Sequence, residues 1–216
     1  MTLPVFDSAS GNKVGSGTTN SWNHTIGSGS NRILMVAVSS GSSVTGVTYN
    51  GIALTELKSI VYNTPYTFSV WYLLNPPSGT YACTITIGAS AFIVGASWSA
   101  SNSAQSNTFD VAASNGSSAG QTSSTNTVTT NSTNQLVFDA INNDYPSTNT
   151  PTAGQTDRYQ PATSGVAVGD IVATGINMTL SWSFSISAWA EISVAINGIV
   201  PTTHANIADG YGGVFT

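Results

Sequence analysis

The sequence predicts an all-β protein, a single antiparallel β-sandwich of the jelly-roll type, for three reasons. Along residues 180–187 apolar side chains alternate with serines, which is the period of a strand with one buried face. Strand-like runs recur about every ten residues, with Gly, Asn, Ser and Pro between them. No window repeats apolar residues at the three- and four-residue spacing of a helix. We predict one domain over residues 1–198 and a short C-terminal tail over 199–216.

The first half of the chain carries most of the strand signals. The run at 32–39 is continuously apolar, which is typical of a central strand buried on both faces. Asn50-Gly51 predicts a tight hairpin turn. The Pro-Gly segment from Asn75 to Gly79 marks the end of the predicted aromatic strand over 66–74. The predicted strands of this half are 4–6, 21–26, 32–39, 44–57, 66–74, 80–88 and 91–100.

Residues 101–127 are rich in Ser, Asn and Gly, and we predict a long surface loop tethered by Phe109 and Val111, part of which pairs at a sheet edge. The strands that follow are predicted at 126–142, 156–160, 164–174 and 178–197, with a loop over 143–155 and a break near 185–188. Leu180, Trp182, Phe184 and Ile186 are expected to face the opposite sheet. The two halves of the chain are not expected to repeat one another.

Composition excludes several classes of protein. Hydrophobic residues make up 40% of the 216 residues but charged residues only 6%, so solubility depends on hydroxyl and amide groups. The four basic residues are scattered, so nucleic-acid binding is not expected: Lys13, Arg32, Lys58 and Arg158. No apolar run reaches the ~18 residues of a membrane span, and the N-terminus lacks the features of a signal peptide.

Catalytic patterns are weak, and we predict a protein that is not an enzyme. The chain has no G-x-S-x-G nucleophile motif. Of its two histidines, His24 alternates with Trp22 and Ile26 and is expected to be structural, while His204 lies in the tail. Two glutamates, Glu56 and Glu191, are the pair that a glycosidase would need, at an unknown separation. The single cysteine, Cys83, is expected to be buried and inert.

Two groups of residues are candidate binding sites. The segment "DAINND" brings Asp139, Asn142, Asn143 and Asp144 close together in sequence, and oxygen-rich loops of this kind hold calcium. The alternative is an Asn-rich turn without an ion, and no other cofactor is expected. Four tyrosines in or near loops are candidates for stacking on sugars, or else cover the ends of the sandwich: Tyr62, Tyr66, Tyr145 and Tyr159.

An ordered set of segments supports a family resemblance: "SWNHTIGSGSNRILMVAVS", "VTGVTYNGIALTEL", "VWYLLNPPSGTYACTIT" and "WAEISVAING". Together they resemble a group of phage and bacterial-surface proteins with a concanavalin-like jelly roll, over most of residues 3–198. The resemblance implies a structural protein at the virion surface, such as a capsid decoration, head fibre, or tail-fibre or tail-tip component. Such a protein would assemble with itself, as a trimer or other closed homo-oligomer, and dock on capsid or tail proteins.

The alternative function is a carbohydrate-binding module or adhesin that recognises glycans at a cell surface. The tail is a further candidate for contact with a partner, because its glycines alternate with apolar anchors. Those anchors are Ile207, Tyr211, Val214 and Phe215. A frayed terminus without a role is the other interpretation.

Overall fold

The computed structural model describes residues 2–133, 135–144, 148–152, 154–161 and 164–199, which form fifteen β-strands and no helix. The all-β prediction is therefore confirmed. None of these residues forms a helix with the length and hydropathy that crossing a membrane requires. The strands are β1 (Val5–Ile26), β2 (Ile33–Ser40), β3 (Val44–Tyr49), β4 (Ile52–Ala53), β5 (Thr55–Asn63), β6 (Tyr66–Leu74), β7 (Gly79–Ser101), β8 (Phe109–Ser123), β9 (Asn126–Thr129), β10 (Gln135–Asn143), β11 (Thr150–Pro151), β12 (Thr156–Tyr159), β13 (Val166–Val172), β14 (Asn177–Leu180) and β15 (Trp182–Asn197).

The strands form two large antiparallel sheets that pack face to face as a sandwich. In the first sheet the order is β4-β3-β7-β2-β6-β5, and β1 also pairs with β7. The second sheet has the order β11-β15-β10-β13-β12, with β8 paired to β15, and a small sheet joins β9 to β14. One apolar cluster, the inner cluster, contains side chains of both sheets. The jelly-roll type and the domain boundary after residue 198 stay predictions.

The central position predicted for residues 32–39 is confirmed by β2, which is buried along its whole length. Ile33, Met35 and Ala37 belong to the inner cluster. The intervening residues Leu34, Val36 and Val38 face the other side of the sheet and belong to a second cluster. The end of β1 and the beginning of β7 fold back over this side and contribute Trp22 and Cys83 to it. Because apolar layers cover both faces of β2, its sequence is a continuous apolar run rather than an alternating one.

Gly95 on β7 allows this folded layer to approach the sheet closely. A Cβ atom at position 95 would lie 2.3 Å from Cη2 of Trp22 and 2.6 Å from Cδ1 of Ile85. The glycine is therefore required by the close approach of two rigid side chains.

The predicted hairpin at Asn50-Gly51 is confirmed. Both residues have positive φ angles, 51° and 75°, and they join Tyr49 to its cross-strand partner Ile52. Positive φ at both central residues is the requirement of a type I′ turn, which Asn-Gly satisfies at the lowest steric cost.

The prediction that the two halves do not repeat one another was wrong. The strand order β5-β6-β2-β7-β1 of residues 5–101, the first repeat, returns as β12-β13-β10-β15-β8 in residues 109–197, the second repeat. The register returns as well, since Ile33 pairs with Ala100 as Leu136 pairs with Ile196. Both outer strands carry a bulge at the same place, after Glu56 and after Asp157.

The inner cluster is built from equivalent positions of the two repeats, so the sandwich has approximate twofold symmetry. Comparing the two halves by residue identity does not reveal the repeat, because most equivalent residues differ in type. They correspond only in the strand positions at which they pair. The equivalent pairs in the cluster are Ile33 and Leu136, Met35 and Phe138, Ala37 and Ala140, Phe68 and Val166, Val70 and Val168, Val94 and Ala190, Ala96 and Ile192, Trp98 and Val194, and Ala100 and Ile196.

The long loop predicted over 101–127 is largely a strand. β8 pairs with β15 from Phe109 to Ser123 and forms an edge of the second sheet. The tether at Phe109 is confirmed, since its ring packs edge-on against Tyr72 with centroids 4.8 Å apart, whereas Val111 is 37% exposed. Edge pairing depends on backbone hydrogen bonds, so the strand forms although most of its residues are small and polar.

The predicted break in residues 178–197 occurs at Ser181, between β14 and β15, and not near 185–188. Leu180, Trp182 and Phe184 are buried, but the prediction that they face the opposite sheet was wrong, because they pack in clusters on the outer face of the second sheet and not in the inner cluster. Ile186 is 68% exposed. The pairing of β15 with β8 is irregular between Ser183 and Ser187. An irregularity of this kind shifts the alternation of side chains between the two faces of the sheet by one residue. This shift accounts for the exposure of Ile186 and the burial of Ser187.

A cleft between the two sheets

A cavity of about 430 Å³ opens between the sheets at one end of the sandwich, where the inner cluster gives way to polar side chains. We call it the Tyr62 cleft. Its volume lies within the range of small-molecule sites. The described residues that line it are Ser39, Tyr62, Asn63, Tyr66, Phe92, Asn142, Asn143, Asp144 and Ser164.

The cleft lies near the approximate twofold axis, because equivalent residues line it from both sides. Ser39 is equivalent to Asn142, since they pair with Phe68 and Val166 at matching positions of the two sheets. The backbone pairing confirms the correspondence, since Gly41 N donates to Phe92 O and Asp144 N donates to Ala188 O, each at 3.1 Å. The first repeat thus places aromatic Phe92 where the second has Ala188, and the second places Asp144 where the first has Gly41.

The two repeats supply mostly different chemistry to the cleft, although Ser39 and Asn63 of the first repeat also line it with polar groups. The aromatic wall, from the first repeat, consists of Tyr62, Tyr66 and Phe92, at the β5–β6 turn and on β7. The polar wall, from the second repeat, consists of Asn142, Asn143, Asp144 and Ser164. An apolar surface therefore faces a row of hydrogen-bonding groups across one cavity.

Hydrogen bonds across the cleft fix the carboxylate of Asp144. The hydroxyl of Tyr62 donates to Oδ1 at 2.6 Å, and Nδ2 of Asn63 donates to Oδ2 at 2.6 Å. Nδ2 of Asn142 donates in turn to the Tyr62 hydroxyl at 2.5 Å. Burial and the neighbouring Asp144 carboxylate raise the pKa of Tyr62, so its hydroxyl stays a donor. Each carboxylate oxygen keeps lone-pair capacity for a further donor.

Other groups of the cleft are available for a ligand. The Tyr66 ring is 36% exposed, and Phe92 is half-buried beside it. Lys13 lies over the Phe92 ring, 5.5 Å from its centroid, without being among the described lining residues. Asn143 donates from Nδ2 to Asn149, while its buried Oδ1 accepts no hydrogen bond from the described residues.

The four tyrosines singled out in the sequence are not all in one place. Tyr62 and Tyr66 both line the cleft. Tyr159 lies elsewhere, on β12, where its hydroxyl donates to the backbone oxygen of Gly11 at 3.0 Å. Tyr145 falls outside the described residues.

Strand geometry separates the residues proposed for calcium. Asn142 and Asp144 meet at the Tyr62 cleft, but Asp139 lies on the opposite face of β10, in contact with Trp182 and Ser193. Successive strand residues point to opposite faces, so Asp139 and Asn142 do not share a site. Within the described ranges, no group of three or more His, Cys, Asp or Glu side chains is placed to hold a metal ion.

The glutamates considered as a catalytic pair lie on different sheets. Glu56 is exposed on β5, whereas Glu191 is buried on β15. The carboxyl neighbour of Glu191 is Asp139, which also lies on the outer face of the second sheet. Asp139 accepts hydrogen bonds from Trp182 Nε1 (2.6 Å), Gln155 Nε2 (2.7 Å) and Ser193 Oγ (2.6 Å).

The two oxygens of Glu191 are buried and receive no hydrogen bond from the part of the chain that the structure describes. Burial and the nearby Asp139 raise the pKa of Glu191 well above its usual range. This shift favours the protonated form of Glu191. Burial raises the pKa of Asp139 as well, and its hydrogen-bond donors oppose that shift. The pair is enclosed, so it is suited to a structural role.

His24 is buried in a network of serines between the sheet and the folded layer. Its Nδ1 lies 2.8 Å from Ser10 Oγ and 2.9 Å from Ser97 Oγ, and Trp22 Nε1 donates to Ser97 at 3.0 Å. Desolvation by burial lowers the pKa of His24 to about 4. The ring is therefore neutral near pH 7 and packs as part of the fold, in agreement with the structural role expected for it.

Cys83 is a free thiol and buried, as predicted, and burial raises its pKa. His204 and the tail anchors Ile207, Tyr211, Val214 and Phe215 lie outside the described residues.

Sequence reasoning missed two residues of the cleft, Asn63 and Phe92. Asn63 lies at the end of β5, one residue after Tyr62, and the turn signal "YNTP" placed it beside the tyrosines. Phe92 begins a run that looked like ordinary core. Its role depends on the position of β7 against the other sheet, which no local pattern gives.

No protein-family model, curated protein or solved structure matches the chain.

Proposed function

We propose that this protein is a non-enzymatic carbohydrate-binding protein whose ligand binds in the Tyr62 cleft. The observation that carries the proposal is the division of the cleft into an aromatic wall and a polar wall. A pyranose ring has the same division, because its C–H groups present an apolar face and its hydroxyls lie around the edge. The exposed ring of Tyr66 supplies a surface for the C–H face.

The polar wall supplies both kinds of partner that a hydroxyl needs. Asp144 accepts hydrogen bonds, and the amides of Asn142 and Asn143 offer donors and acceptors, to which Asn63 adds an amide from the first repeat. The hydrogen bonds from Tyr62 and Asn63 hold Asp144 in one orientation before any ligand arrives. A fixed acceptor adds affinity because less side-chain entropy is lost on binding.

Binding to an array of neutral oligosaccharides, followed by calorimetry on the strongest ligand, tests the proposal. Tyr66→Ala is expected to weaken binding about tenfold, which corresponds to 1.4 kcal/mol. Ile176→Ala, at an exposed apolar residue beyond the opposite end of β13, is the matched control and should leave affinity unchanged. An array without ligands, or equal affinity in both variants, would reject the cleft as a sugar site.

A second candidate, a structural protein at the surface of a phage virion, rests on the sequence resemblance and on the uncharged coat. At the surface, threonine hydroxyls bond to each other across paired strands, as in Thr25 with Thr80 and Thr127 with Thr179. Neutral hydroxyls lose less hydration free energy than charged groups when a neighbouring subunit covers them. Light scattering and capsid co-sedimentation test this role, and a monomer that binds no capsid would contradict it. Glycan binding at a virion or cell surface is compatible with both roles.

A further inference from the structure

We infer that the Tyr62 cleft selects neutral sugars and rejects acidic ones, and that Asp144 is the residue responsible. The inference rests on the proposed function and adds the charge class of the ligand. Among the described residues that line the cleft, Asp144 alone carries a formal charge. A uronate or sialate carboxylate in the cleft would therefore meet a negative charge without a lining cation to offset it.

The surroundings of Asp144 fix the position of this carboxylate. Two donors, Tyr62 and Asn63, hold its two oxygens in one orientation. Tyr62 is itself buried and is held by Asn142, so the donor cannot rotate away without losing a second hydrogen bond. Lys13 lies over the Phe92 ring, 5.5 Å from its centroid, and is not among the described residues that line the cleft.

The approximate symmetry of the cleft strengthens the argument. The residue equivalent to Asp144 in the first repeat is Gly41, which has no side chain. The same topology therefore forms in the first repeat without a carboxylate at this position. The acid is present in one repeat only, and it is exposed at the cleft, where a ligand would meet its charge.

The test uses matched pairs of oligosaccharides of equal length: glucose with glucuronate, galactose with galacturonate, and mannose with mannuronate. The wild-type protein is expected to bind the neutral member of a pair at least tenfold more tightly than the uronate. Asp144→Asn should reduce this preference to threefold or less, because the amide keeps an acceptor for Tyr62 but removes the charge. Raising the salt concentration should reduce the wild-type preference in the same direction.

Glu56→Gln is the matched control, since it makes the same change in net charge at an exposed position outside the cleft. It should keep the tenfold preference. Equal binding of neutral and acidic sugars by the wild-type protein, or a preference that Asp144→Asn leaves intact, would overturn the inference while the sugar site stands. Failure of every sugar to bind would instead reject the proposed function. Thermal melting of each variant confirms that the fold is retained.

Discussion

Asn126 on β9 occupies the position in the second repeat that His24 on β1 occupies in the first. Thr25 faces Thr80 one residue after His24, and Thr127 faces Thr179 one residue after Asn126. Each residue also contacts an equivalent serine: His24 lies 2.9 Å from Ser97 Oγ, and Asn126 Nδ2 donates to Ser193 Oγ at 2.8 Å. The same buried hydrogen bond is made by a titratable group in one repeat and by a neutral amide in the other.

His24→Asn therefore removes a titratable group while keeping a hydrogen-bonding partner for Ser97. The pKa of His24 is about 4 in the folded protein and 6.5 in the unfolded chain. The unfolded chain binds a proton that the folded protein does not, so stability is full above pH 6.5 and is lost as the pH falls from 6.5 toward 4. The loss attributable to His24 is about 3 kcal/mol over that window. Denaturant titrations at several pH values should show a shallower acid loss in His24→Asn, and an unchanged slope would contradict the neutral buried ring.

The buried carboxyl pair predicts the opposite pH dependence. The folded-state pKa of Glu191 is raised, so its contribution to stability is full below about pH 4.5 and is lost as the pH rises toward the folded pKa. Glu191→Gln removes the titration that opposes folding at higher pH and should be more stable than the wild type at pH 7. The exposed Glu56→Gln is the control and should change stability by less than about 0.5 kcal/mol. A less stable Glu191→Gln at pH 7 would show that Glu191 is ionised in the fold.

Gly95→Ala tests the close approach of Trp22 to β7. The added Cβ would meet the indole ring at 2.3 Å, so the ring has to move, and we expect a destabilisation of about 1–3 kcal/mol. Gly46→Ala on β3 is the matched control, because no atom lies within 4 Å of a Cβ atom there. Urea unfolding should separate the two variants clearly. Similar stabilities would mean that the folded layer is not held against the sheet at this point.

Tyr62→Phe removes the hydroxyl that connects Asn142 to Asp144. The buried amide of Asn142 then loses its acceptor, so the expected destabilisation is about 1–3 kcal/mol. Tyr159→Phe removes only a half-exposed hydrogen bond to Gly11 and should cost less than about 1 kcal/mol. Melting temperatures of the two variants provide the measurement. An equal or reversed ranking would argue against the hydrogen-bonded chain in the cleft.

Local sequence patterns predicted the fold correctly where a pattern is compatible with only one kind of local structure. The continuous apolar run of β2 and the Asn50-Gly51 turn are of this kind, because burial on both faces and positive φ angles leave few alternatives. β8 was predicted mostly as a loop because its residues are small and polar, and its pairing is decided by the neighbouring strand β15. The exposure of Ile186 has the same origin, since a bulge reverses the alternation without a sequence signal.

The candidate site was partly predictable for a similar reason. Tyr62, Tyr66, Asn142 and Asp144 were each noticed in the sequence, but for two separate purposes, glycan binding and calcium binding. They meet only because the β5–β6 turn of one repeat packs beside the end of β10 in the other. A contact between residues about eighty positions apart depends on how the sheets stack, and that information is not present in either segment alone.

The repeated topology also places the first and last described residues of the chain side by side. Each sheet is continuous in sequence, residues 102–108 lead from the first to the second, and Thr2 exchanges backbone hydrogen bonds with Ile199 at 2.8 and 3.0 Å. The beginning and the end of the described chain are therefore neighbours. A circular permutant that opens between 104 and 107, with the original ends connected, would present the same two sheets in exchanged order and should fold to the same sandwich.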